Sequence, residues 1–254
     1  MLETDSVLRV VDVSKSFGGV KAMRNVELEL AAGERISVIG TNGAGKSTLF
    51  NAIAGVFPVT SGRIELFGKD VTRLSAASRA KLGLARTFQT SRLFEQLTAA
   101  QNVFIALGGS EFTGGLLRLA RRNPERWARV DRLLDRVGLA GRDEQVVADL
   151  SHGEQRQLEL AMALALQPKL LMLDEPAAGF SPAERAQLVR LLRELPQEIS
   201  LLLIEHDMDI ALAVASRVIV MHDGAKILEG TPDEIRTSER VREIYLGGSI
   251  HDAA

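Results

Sequence analysis

The apolar run Ile36–Ile39 leads directly into Gly40-Thr41-Asn42-Gly43-Ala44-Gly45-Lys46-Ser47-Thr48 and then into the helix-forming stretch Thr48–Ala54. A strand, a loop of the form G-x-x-x-x-G-K-[ST] and a helix, in that order, restrict the fold more than any other feature of this chain. The glycines Gly40, Gly43 and Gly45, with Asn42 and Ala44 between them, let the loop wrap so that successive backbone N–H groups point inward at phosphate oxygens. The N-terminus of the helix, at Ser47 and Thr48, adds its partial positive charge. Lys46 can neutralise the β- and γ-phosphates, and the Ser47 hydroxyl can complete an octahedral Mg²⁺ shell. A bare glycine-rich turn with a chance lysine is the bland alternative, and the strand–loop–helix context argues against it. The loop alone does not choose among kinases, GTPases and motor ATPases.

Leu170-Leu171-Met172-Leu173-Asp174-Glu175-Pro176 supplies a complement. A continuous apolar strand buried on both faces is the mark of a central parallel strand, and this one ends in two adjacent carboxylates at the sheet edge where ligands bind. Asp174 is the expected Mg²⁺ ligand, and Glu175 the group that polarises an attacking water. His206 follows the apolar run Leu201–Ile204 in the same way and is a candidate γ-phosphate contact. A lone histidine is more often structural, and His206-Asp207 by itself is weak support for a metal site.

Strands alternating with helices predict a layered α/β fold. Val26–Leu30 and Arg63–Phe67 alternate strictly and Leu8–Val13 partly, which predicts antiparallel ribbon strands flanking Ile36–Ile39. Trp127, Val130, Leu133, Leu134 and Val137 recur at helical spacing before Gly138, with six arginines from Arg118 to Arg132 among them. They predict a helical subdomain inserted in the α/β core, after the loop glycines Gly108-Gly109 and Gly114-Gly115. Helices are predicted over Gln155–Leu166, Pro182–Leu195 and Met208–Ala215, and Asp223-Gly224 between Arg217–Met221 and Lys226–Glu229 is a two-residue hairpin signal.

Composition excludes several classes. The 31 basic and 33 acidic residues nearly cancel, so the chain is not built chiefly to neutralise nucleic-acid phosphates. It contains no cysteine, which excludes disulfides, thiolate zinc sites and thiol catalysis. Glu3 and Asp5 within Met1–Val10 argue against a secretory signal. With no run of 18 apolar residues, the expected location is the cytoplasm.

Leu150-Ser151-His152-Gly153-Glu154-Gln155 brings in a resemblance: the chain resembles the ATP-binding cassette (ABC) family, whose signature reads L-S-G-G-Q. Ser151 and Gly153 match; His152 and Glu154 depart. Ser151-x-x-Glu154 is also a capping box, so the plain reading is a well-capped helix, and the two readings are compatible. Ser181, where the family often has aspartate, again opens a capping box with Pro182 at the first helical position. The resemblance spans nearly the whole chain and includes Phe17 at the place of an adenine-stacking aromatic, Gln89 in Thr87-Phe88-Gln89, and His206. It implies a P-loop NTPase (RecA-like) core with a parallel sheet, an N-terminal antiparallel β-subdomain and an inserted helical subdomain. The implied division of residues 1–254 is a core of 1–89 and 160–229, a helical subdomain of 90–159 and a C-terminal tail of 230–254. It further implies ATP and Mg²⁺ as ligands, Lys46, Glu175 and His206 in catalysis, and Ser47, Gln89 and Asp174 around the metal. Phe17, residues 40 and 42–48, Gln89, Ser151 and Gly153 are the implied nucleotide contacts.

Ala85-Arg86-Thr87-Phe88-Gln89, Arg92-Leu93-Phe94, Leu97-Thr98, Gln101-Asn102-Val103 and Glu175-Pro176-Ala177-Ala178-Gly179 look like the ATPase subunits of branched-chain or hydrophobic amino-acid importers. Glu229–Ile235 and Tyr245-Leu246-Gly247 fit the same group. The resemblance thus implies a subunit at the cytoplasmic face of the inner membrane, peripheral to transmembrane permeases docked around Gln89–Val103. It also implies pairing with a second cassette, identical or not, and an indirect link to a solute-binding protein. No nucleic-acid partner is expected. The ATPases of urea/amide importers and of lipopolysaccharide extraction share much of the pattern. A non-transport cassette acting on nucleic acid is the rival from another class, and a small-metabolite kinase a third. Gly108–Arg129 reads as a solvated face and loop near the membrane subunit rather than a lipid-binding element.

Overall fold

A computed structural model describes residues 6–87, 93–108 and 124–247. The chain divides into two compact units, one of residues 1–86, 169–175 and 195–254, the other of 87–168 and 176–194. The helical unit therefore takes in 160–168 and 176–194 besides the 90–159 expected from the sequence; within it the helix over His152–Ala165 packs with the two described helices before it.

The first unit holds two sheets. β1 (Ser6–Phe17), β2 (Val20–Ala31), β4 (Ser61–Leu66) and β5 (Lys69–Asp70) form an antiparallel sheet in the order β2-β1-β4-β5. β3 (Arg35–Ile39) lies in a second sheet with β6 (Leu84–Arg86), β7 (Leu170–Asp174), β8 (Ser200–Ile204), β9 (Arg217–His222) and β10 (Ala225–Gly230), in the order β10-β9-β3-β8-β7-β6. The expectation that the ribbon strands flank Ile36–Ile39 is thus corrected. Both edges of β3 are taken by parallel partners, β8 and β9, and its residues 36–39 are fully buried. The alternating strands, with one wet face each, form a separate layer.

Side-chain alternation along β3 serves two cores. Ile36 and Val38 join Leu8, Val10, Leu28 and Leu30 of the antiparallel sheet and Leu49, Phe50 and Ile53 of α1 (Lys46–Ala54). Ile39 faces another cluster with Val218 and Val220 of β9, Ala211 and Leu212 of α7 (Met208–Val214), Ile235 of α8 (Pro232–Thr237) and Val241 of α9 (Glu239–Gly247). Ser37, fully buried on that side, donates to the Ala211 carbonyl at 2.9 Å. β9 and β10 form the expected hairpin. Asp223 and Gly224 both have positive φ, 46° and 76°, as a two-residue turn of the type that matches strand twist requires.

The second unit contains α3 (Ala99–Gly108), α4 (Pro124–Arg136), α5 (His152–Ala165) and α6 (Pro182–Arg193). Val130, Leu133 and Leu134 are the buried stripe of α4. Trp127 stacks on Phe104 of α3 at 4.6 Å, and Arg126 lies 4.4 Å from the same ring. Arg126 is therefore packing material, whereas Arg132 is exposed. Gly138, with φ 86°, turns the chain after α4 as its place in the sequence predicts. Arg118, Arg121, Arg122, Gly109 and Gly114-Gly115 lie outside the described residues. Among the described residues, no helix is long and apolar enough to cross a membrane.

A candidate nucleotide site

The sharp turn out of β3 depends on two glycines. A Cβ on Gly40 would lie 2.2 Å from the Met221 carbonyl of β9, and one on Gly45 2.8 Å from the Ala22 carbonyl. Gly45 has φ 94° and caps α1 without a side-chain hydrogen bond. The first amides of α1 are consequently left for an anion rather than for a serine or aspartate cap. Lys46 is buried and folds back along the loop, its Nζ donating to the carbonyls of Gly40 at 2.7 Å and Thr41 at 3.0 Å. Burial holds its pKa below the ordinary lysine value, against the opposing pull of Glu175 and Asp174. Its ammonium has three protons, so the two loop carbonyls leave one for a phosphate oxygen.

Behind the cradle, α1 is anchored at its far end by a residue that the sequence reading passed over. Arg79 of α2 (Ala76–Leu82) is almost fully buried. It donates to the carbonyls of Ala52 and Ile53, both at 2.7 Å, and to those of Leu74 at 3.1 Å and Thr72 at 3.2 Å. A cation at a helix C-terminus meets both its orphan carbonyls and its dipole. Nothing local in Ser78-Arg79-Ala80 signals this; the partners lie in other elements.

β7 is buried at every position and delivers Asp174 to its carboxyl end. Asp174 accepts from Arg86 Nη2 at 3.2 Å through Oδ2, while its buried Oδ1 has no hydrogen-bond partner among the described residues. Burial raises the Asp174 pKa, and Arg86 is the strongest opposing influence. Glu175 follows in the left-handed backbone region, φ 49°, its amide donating to the Ile204 carbonyl at 2.9 Å. A non-glycine residue held there is strained by roughly 1–3 kcal/mol, and such strain clusters at functional positions. His206, exposed beyond β8, brings Nδ1 to 3.9 Å from both Glu175 Oε2 and Glu205 Oε2. Lys46, Asp174, Glu175 and His206 are thus all in the first unit, at the ends of β3, β7 and β8. Glu205, fully buried, was not singled out from the sequence.

Phe17 ends β1 with its ring 47% exposed. Phe57 meets it edge-on at 5.2 Å, and Lys15 Nζ sits 4.8 Å from its centroid while donating to the Pro58 carbonyl at 2.7 Å. An aromatic ring braced in this way offers a face for stacking. Gln89 lies outside the described residues.

In the helical unit, Ser151 and Glu154 form the expected capping box. Glu154 N–H donates to Ser151 Oγ at 3.2 Å, and Ser151 N–H to Glu154 Oε2 at 2.9 Å. Arg142 holds the other Glu154 oxygen at 3.3 Å. Gly153 is buried against α6, where a Cβ would come within 2.5 Å of Glu184 Oε1. Glu184 is itself committed to the second capping box, with Ser181, whose hydrogen bonds lower its pKa. His152 is exposed at the helix start.

Comparison with known proteins agrees with this arrangement. The ABC transporter family profile matches residues 23–178, and that of the branched-chain amino acid ATP-binding cassette transporter matches 225–251. The chain is 39% identical over 249 residues to the high-affinity branched-chain amino acid transport ATP-binding protein LivG of Salmonella typhimurium, covering 95% of this chain and 98% of the relative. It is 37% identical to BraF of Pseudomonas aeruginosa, which bears the same description, with the same coverage. Among solved structures, the ADP conformation of MJ1267, an ATP-binding cassette of an ABC transporter, superimposes with a TM-score of 0.82 at 29% identity, over 95% of this chain and 99% of that one. Similarity of this extent, running through cradle, acid pair and capped signature helix alike, means that the chain belongs to the ABC transporter family and is an ATP-hydrolysing cassette that drives transport.

Proposed function

We propose that this cassette powers the import of branched-chain or other hydrophobic amino acids, acting as one of two cassettes paired head-to-tail beneath transmembrane permeases. The importer reading is supported by the LivG and BraF relatives and by the match at 225–251 to a branched-chain amino acid cassette profile. The solute does not touch this chain; other subunits select it.

Within the cassette, the cradle amides and Lys46 bind the phosphates and Phe17 receives the base by stacking. Mg²⁺ fits the residues present. Asp174 offers a buried carboxylate oxygen with no protein partner among the described residues, and Ser47 stands at the start of α1. No group of three or more His, Asp or Glu that could form a closed protein cage occurs among the described residues, as suits an ion that keeps waters and phosphate oxygens in its shell. When bound, it neutralises charge building on the phosphates. Glu175 accepts a proton from the attacking water, and His206 beside it holds that carboxylate and reaches the γ-phosphate. Gln89 is assigned a contact to the metal or its water.

The partner's helix, opened by its own Ser151 and Gly153, covers the γ-phosphate from the far side. ATP then joins the two chains and hydrolysis parts them. Closure pulls on permease helices docked near 89–103.

The geometry of Glu175, strained at a strand end beside Lys46 and His206, carries this reading. Glu175→Gln is expected to keep ATP binding, to slow hydrolysis by roughly 10²–10⁴-fold, and to trap an ATP-bound dimer visible by size-exclusion chromatography. Full turnover in this variant removes Glu175 from its role.

A further inference from the structure

Arg86 is the last residue of β6, paired with Met172 of β7. Its guanidinium is divided between two elements. Nη2 donates to Asp174 Oδ2 at 3.2 Å and Nη1 to Asn51 Oδ1 of α1 at 2.6 Å, while the planar group lies 5.8 Å from the Phe50 ring. The Arg86 side chain is 10% exposed and that of Asp174 1%. An arginine fork meeting a carboxylate commonly engages both oxygens at once. Here the second prong goes to Asn51, and Asp174 Oδ1 is left buried without a hydrogen-bond partner among the described residues.

We propose that Arg86 is the positioning residue of the cation site: it ties one oxygen of Asp174 to the helix that follows the phosphate loop, so that the other oxygen is kept for Mg²⁺. This rests on the reading above that Asp174 holds the metal. A buried carboxylate oxygen without a donor is costly, and a hard cation with oxygen ligands is the partner that satisfies it. Asn51 sits on the helix that begins at Lys46, so one side chain sets the spacing between the cradle and the metal carboxylate. Lysine, a compact point charge, cannot span two acceptors in this way.

The test measures binding of a non-hydrolysable ATP analogue to the full chain by calorimetry, across Mg²⁺ concentrations and in excess chelator. Arg86→Met is expected to raise the Mg²⁺ concentration needed for half of the affinity gain roughly tenfold, while chelator-measured affinity stays within about twofold. Arg86→Lys should restore part of the loss. Asn51→Ala, which keeps the ion pair and removes only the tether, should shift the Mg²⁺ requirement in the same direction by less, and it serves if Arg86→Met does not fold. An unchanged Mg²⁺ requirement in the variants that fold overturns the proposal. So does an equal fall of affinity with and without chelator, which would make Arg86 a brace of the fold alone. If wild-type affinity itself ignores Mg²⁺, the metal role of Asp174 is what fails, and that of Arg86 falls with it.

Discussion

Arg79 and Glu175 mark the two ways a single side chain shapes this site. Arg79 does so by satisfying others. With four carbonyls around it and little exposure, Arg79→Met is expected to cost about 2–4 kcal/mol, because the loss of these charge-assisted hydrogen bonds outweighs the relief of no longer burying a charge. Urea unfolding would read this as a lower midpoint with an unchanged slope; a midpoint within experimental scatter of wild type would contradict it. Glu175 instead carries strain that its neighbours impose. Lys46, Ser47, Asp174, Glu175 and Ser151 were legible in the sequence because each motif is contiguous and its chemistry local. Arg79, Arg86 and Glu205 were not. The roles of Arg79 and Arg86 come from partners in distant elements, Ala52 and Ile53 for Arg79 and Asn51 and Asp174 for Arg86, and no spacing in the sequence encodes those meetings.

At the scale of elements, the two capping boxes show how a helix start can depart from the family pattern and still form. Ser181 opens α6 by accepting from Glu184 N–H at 3.4 Å and donating its own N–H to Glu184 Oε2 at 2.7 Å. Hydrogen bonds to the carboxylate from the Ser181 side chain and then from the Ser181 backbone N–H lower the Glu184 pKa from 4.5, so the carboxylate's contribution is present above that value and lost as pH falls through the lower, folded-state pKa. Ser181→Ala is expected to destabilise the protein by about 1 kcal/mol near neutral pH. The difference should narrow in acid, where Glu184 becomes protonated in both proteins. Thermal melts at pH 7 and on descending to acid check this; a gap that widens in acid would refute the assignment. Strand boundaries were read well where burial is continuous, as in β3 and β7. The sheet to which the ribbon strands belong was misjudged, because alternation tells which face is wet but not which strand is the neighbour.

For the whole molecule, the decisive property is that the signature helix start, already capped within its own chain, is proposed to serve the nucleotide of a partner cassette. Ser151→Arg places a bulky cation at that start. It is expected to leave ATP affinity of the isolated chain nearly unchanged while abolishing ATP-dependent dimerisation and the rise of specific activity with protein concentration. Analytical ultracentrifugation with ATP, in the Glu175→Gln background, measures the first; turnover against protein concentration measures the second. Dimers that persist in both protomers carrying Ser151→Arg would show that closure does not use this helix.

The placement of β3 has a consequence for how the protein is made. Ile36–Ile39 leaves the ribosome before its two sheet partners, Ser200–Ile204 and Arg217–His222, and before the residues Ile235 and Val241 that shield Ile39, all of which are translated only after the whole helical unit. During that interval the strand has two bare edges, the kind of surface that invites pairing with other nascent chains. The phosphate-holding turn is therefore synthesised well before the strands that fasten it, which makes chaperone protection matter at the very segment on which chemistry depends.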